Sequence, residues 1–131
     1  MKSIVRVFII VLAMLPIAGF AQEKKSPSWP ELKKFHSYMS STFHPAEEGD
    51  LKPVRVKADS MLIAAKVWQA SKIPSNYKPV ETKETLEKLV AQLATLKEAV
   101  DGNADDEKLK TMITDAHDIF HKIVGECKKT D

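Results

Sequence analysis

Between Thr82 and Val100 the apolar residues Leu86, Leu89, Val90, Leu93, Leu96 and Val100 advance in steps of three and four. Side chains at that spacing share one face of a helix, whereas a strand would send alternate residues to opposite faces. A helix with one apolar stripe must cover it, so this run demands partner helices. The chain supplies three. From Trp29 to Phe43 the stripe is Trp29, Leu32, Phe35, Met39 and Phe43. Ser28 is placed to cap that first turn, and Pro30 stands where proline is tolerated. From Leu51 to Ala70 the stripe is Val54, Ala58, Met61, Leu62, Ala65 and Trp68. From Asp105 to Lys128 it is Leu109, Met112, Ile113, Ala116, Ile119, Phe120, Ile123, Val124 and Cys127.

Pro45 is expected to end the first helix, with AEEGD as the connection. SKIPSNYKP, with Pro74 and Pro79, breaks the second from the third, and Asp101-Gly102-Asn103 stops the third. No stretch carries a strand pattern of comparable strength. Four amphipathic helices on short loops predict an all-α fold, an antiparallel up-down-up-down four-helix bundle over residues 29–131.

Residues 1–21 stand apart from that pattern. Lys2 and Arg6 precede an apolar run from Val7, then Pro16 and a small-residue exit at Gly19-Phe20-Ala21. This is the layout of a secretory signal peptide cleaved after Ala21, which predicts a periplasmic or secreted protein. The run is short for a membrane span, so no stable membrane insertion is expected after cleavage. Residues 22–28 (QEKKSPS) read as a polar linker. Removing residues 1–21 takes away Lys2 and Arg6 and no acid, so the 20 basic residues fall to 18 against 18 acidic. A neutral chain lacks the basic surface that nucleic-acid binding needs. With Cys127 alone, no disulfide within the chain is available, and stability must come from packing.

The chemistry concentrates in histidine. The chain has four: His36 and His44 in the first helical run, His117 and His121 in the last. In an up-and-down bundle those two helices are antiparallel neighbours. On a wheel of about 100° per residue, His36 and His44 fall about 40° and 120° to one side of their stripe. His117 and His121 fall about 95° and 135° to the same side of theirs. Antiparallel neighbours meet through flanks of the same sense, so all four can share one seam. The opposite bundle handedness would turn these flanks to other neighbours. Register places His36 level with His121 and His44 about 6 Å beyond His117.

Imidazoles at i, i+4 present two nitrogen donors from one helix face, a set that zinc and copper accept. His36, His44, His117 and His121 are therefore candidate ligands, with Glu48 (or Glu47) swinging back past Pro45 as an oxygen donor. Asp115 and Asp118 are placed to orient a ring as outer acceptors. The plainer alternative makes His117 and His121 boundary residues beside Lys122, and His36 a core residue bonded to Ser40 or Tyr38. Met39 and Met61 fit core positions better than ligand positions.

The run Val124-Gly125-Glu126-Cys127-Lys128-Lys129 resembles the end of the last helix in cytochrome c-prime. There a V-G-x-C-K-x run continues into the second cysteine and the histidine of the C-x-x-C-H haem site. Those two positions here are Thr130 and Asp131, so the second thioether and the axial ligand are missing. The resemblance implies the bundle fold and makes a homodimer a possible state, without covalent haem. The chain is also similar in architecture to the soluble b-type four-helix cytochrome, which clasps haem between a methionine of the first helix and a histidine of the last. That similarity implies Met39 or His36, with His121 or His117, as ligands to non-covalent haem b. No nucleophile triad, phosphate loop or paired core carboxylates point to an enzyme. The leading expectation is an exported copper- or zinc-binding bundle that carries, buffers or senses the ion. A b-type haem protein is the first alternative. A structural or partner-binding bundle, with Cys127 as an exposed handle, is the second.

Overall fold

A computed structural model describes residues 27–130. The signal-peptide assignment and most of the linker lie outside those residues. The described residues form four helices: α1 (Pro30–Glu47), α2 (Lys52–Ala70), α3 (Pro79–Asp101) and α4 (Asp106–Gly125). They pack in cyclic order, α1 on α2, α2 on α3, α3 on α4 and α4 back on α1. The start of α1 meets the end of α2, where Trp29 Nε1 donates to Ser71 Oγ at 2.8 Å. Farther along, Thr42 lies level with Met61. The chain is an antiparallel all-α four-helix bundle. Among the described residues no helix is long and apolar enough to cross a membrane.

The anticipated stripes form the core. Phe35, Val54, Met61, Ala65, Trp68, Leu89, Leu93, Leu96, Leu109, Ile113, Ala116 and Ile123 have no measurable exposure. Burying each of these larger side chains contributes about 1.5–3 kcal/mol, offset by the entropy of ordering the chain.

The helix ends depart from expectation at instructive places. Pro45 sits inside α1 and does not end it. One turn from a C-terminus, a proline forfeits a single backbone bond, and the helix continues to Glu47. Gly49 is the stop, with φ at +88°. The amides of Gly49 and Asp50 reach back to the carbonyls of Ala46 and Pro45 at 3.0 and 2.9 Å, the Schellman closure that a glycine permits. At the end of α3 the same closure uses Asn103, φ 56°, and the preceding Gly102 stays at φ −85°. Pro79 opens α3 at its first position, three residues before the expected start. Ser28 caps nothing; Trp29 holds the N-cap position of α1 without a side-chain bond. Asp105 caps α4 through Lys108 N.

The last turn expected of α4 is absent. After Gly125 the chain leaves the helix and pairs with the α2–α3 loop. Lys78 N donates to Cys127 O, and Lys129 N to Asn76 O, both at 2.8 Å. Cys127 is thereby buried at 3% exposure, with its Sγ 3.7 Å from Thr85 Oγ1. It is not the exposed handle that the sequence suggested, because the tail folds it under α3 instead of extending the helix into solvent.

Candidate metal centre

Of the four neighbouring pairs, α1 and α4 make the sparsest backbone approach. Large rings hold them apart. Phe35 and Phe120 meet at 5.7 Å between centroids, and Phe120 also lies 6.0 Å from Trp68. Above these rings the seam opens into a groove of about 200 Å³. Its α1 wall is His36, Met39, Ser40, Phe43 and His44, and its α4 wall is His117, Phe120 and His121. All four histidines of the chain therefore line one cavity, as the matching helix flanks anticipated.

Two stacks fix the register. The ring of His117 lies flat on Phe43, with centroids 3.7 Å apart and planes 12° from parallel. His36 lies flat on Phe120 at 5.5 Å and 6°. The two phenylalanines act as supports that limit imidazole rotation, a role that was not apparent from their place in the apolar stripes. Spacing hinted at it only in that each precedes a histidine by one residue, Phe43 before His44 and Phe120 before His121.

His117 and His121, one turn apart, bring their Nε2 atoms to 3.0 Å. At that distance one nitrogen donates a proton and the other accepts it. If both nitrogens carried a proton neither could accept, so the contact needs an unprotonated Nε2 on one ring. Burial, and secondly the neighbouring His121, hold the His117 imidazole below its ordinary range. His44 acts weakly in the same sense, while Asp118 and Glu47 oppose it. A depressed pKa keeps the ring neutral near pH 7, the form in which it can donate a lone pair.

The other expected donors divide. His36 and His44 are exposed at the rim. Glu48 does not line the groove; it follows the last residue of α1. Because the helix runs through Pro45, Glu47 falls three residues beyond His44 and is the carboxylate that approaches it, Oε2 to Nδ1 3.5 Å. Asp118 stands 4.0 Å from His117 Nδ1, too far for a hydrogen bond. Among the described residues no three histidine, cysteine, aspartate or glutamate donors already converge. The arrangement is one assembled nitrogen pair, with two further imidazoles at the rim. Met39, only 1% exposed, also borders the groove and does not serve the core alone. No known protein family, no curated protein and no solved structure matches the chain, so a functional reading must come from this geometry.

Proposed function

We propose that this chain is an exported protein that binds one transition metal ion, copper or zinc, in the α1–α4 groove and carries, buffers or senses it without catalysis. The observation that carries the reading is that every histidine in the chain lines one cavity, with two Nε2 atoms 3.0 Å apart. A cation at ~2.0–2.1 Å from both nitrogens would subtend roughly 90–100° between them, an ordinary angle for a shared ion. For both Nε2 lone pairs to face the ion, the proton on the donating Nε2 moves through solvent to Nδ1 of the same ring. His36 or His44, which lie eight residues and so about 12 Å apart along α1, is the donor that completes the set, and water is available on the open side.

Non-covalent haem is the second reading, favoured by Met39, His36 and His121 bordering the same groove. The cavity, at about 200 Å³, is smaller than the ~300–1,000 Å³ pockets that hold drug-sized ligands. Haem would require α1 and α4 to part and Phe43 and Phe120 to leave their stacks. The likeness of VGECKK to cytochrome c-prime supports kinship of fold in this reading. For the homodimer, Val56, Ile63 and Val67 offer an apolar stripe on the outer face of α2. A visible spectrum and metal analysis of the purified protein separate the two ligand readings. About one copper or zinc per chain with no Soret band is the expected result. A Soret band without stoichiometric metal ion would overturn the metal reading.

A further inference from the structure

We infer that the groove is a copper site serving both oxidation states, in which the thioether of Met39 joins the Nε2 atoms of His117 and His121 as a soft third donor. This rests on the metal reading above and narrows it to one element.

Three observations lead there. Met39 lies three residues after His36 and four before Phe43, on the α1 face that forms the groove wall. It is 1% exposed and borders a cavity that the four imidazoles also line. An unbranched side chain with three rotatable bonds can turn its sulfur toward an ion without moving the helix. Thioethers are ligands of copper(I), whereas zinc draws on thiolate, imidazole and carboxylate. The one thiol, Cys127, lies against Thr85 of α3 and does not border this groove.

Two nitrogens 3.0 Å apart can share one ion of either element, so it is the sulfur and not their spacing that separates copper from zinc. With its open side toward solvent, the groove offers copper(II) the rim imidazole of His36 or of His44, and water. Its closed side offers copper(I) the sulfur. Two nitrogens and a thioether suit the soft ion, and added nitrogen and oxygen suit the harder one. The Irving–Williams order places copper(II) above zinc for imidazole sets, and the thioether favours copper(I).

The experiment is a competition titration of the purified protein against a chromophoric copper(I) chelator under anaerobic, reducing conditions. Copper(II) and zinc(II) titrations run beside it, on the wild type and on Met39→Leu, a swap that conserves volume. The wild type should hold one copper(I), and Met39→Leu should weaken it at least about tenfold while copper(II) stays within about twofold. X-ray absorption at the copper edge should show a sulfur neighbour in the copper(I) wild type and none in Met39→Leu. Unchanged copper(I) affinity in Met39→Leu overturns the inference while leaving metal binding intact. An equal loss of copper(I) and copper(II) overturns it too, since that marks damage to the groove. Failure of the wild type to take up any of the three ions defeats the metal reading itself, and the copper assignment with it.

Discussion

Replacing Phe120 by alanine removes the ring on which the α1–α4 seam is built. Phe120 is 4% exposed and meets four rings: His36 at 5.5 Å, Phe35 at 5.7 Å, His121 at 5.9 Å and Trp68 at 6.0 Å. Buried Phe→Ala changes cost about 3–5 kcal/mol, the spread reflecting how far the site can collapse. Two of the four neighbours, Phe35 and Trp68, are fully buried and pinned by the core, so they cannot follow the missing ring. The other two, His36 and His121, are at the surface and can lean inward. Half-collapse places the loss near the middle of the range, about 4 kcal/mol. Against a total of ~5–15 kcal/mol for a domain of this size, that is a large fraction. The melting midpoint should drop by roughly 15–30 °C. Urea titration followed by far-ultraviolet circular dichroism reads the change as a lower midpoint at constant slope. A loss below about 2 kcal/mol would mean that the seam closes over the gap and that Phe120 does not hold the groove open.

Three further outcomes follow from the same contacts. Thr82 is fully buried and its hydroxyl has no hydrogen-bond partner. Thr82→Val should therefore stabilise the fold by about 1 kcal/mol in calorimetry, and a destabilised variant would show that the hydroxyl is satisfied. Because His117 is held below its ordinary 6.5, the unfolded chain takes up that proton first as the pH falls. The neutral ring's contribution is fully present above about 6.5 and is lost as the pH descends through the folded value. Unfolding midpoints measured across that window should fall with acid less steeply in His117→Gln than in the wild type; equal slopes contradict the assignment. Cys127, at 3% exposure, should resist maleimide in the native protein and react fully in denaturant, whereas rapid native labelling would mean that the tail does not dock on the α2–α3 loop.

The helices were readable because each buries one stripe at helical spacing, and a stripe is a property of local sequence. The shared seam of the histidines was readable for the same reason, since a wheel and an antiparallel register need only residue spacing. What escaped prediction depends on partners distant in the chain or on competing local signals. Pro45 reads as a stop until Gly49 is seen to provide a better one, and the shift exchanges Glu48 for Glu47 beside His44. Cys127 sits in register with the α4 stripe, yet the loop at Asn76–Lys78 captures its backbone and turns it off the helix. The stacking of His117 on Phe43 and of His36 on Phe120 depends on side-chain rotamers across two helices. No spacing rule reports those, and they are what limits the imidazoles to the groove.

The central claim is that the α1–α4 groove holds a metal ion through His117 and His121. The most direct test is the metal content of the purified protein after loading with copper(II) or zinc(II) and removal of excess, compared between the wild type and a His117→Ala/His121→Ala double variant. About one ion per chain is expected in the wild type and close to none in the double variant, with the helical circular dichroism of the two unchanged. An equal metal content in both would contradict it and would place any bound ion outside this groove.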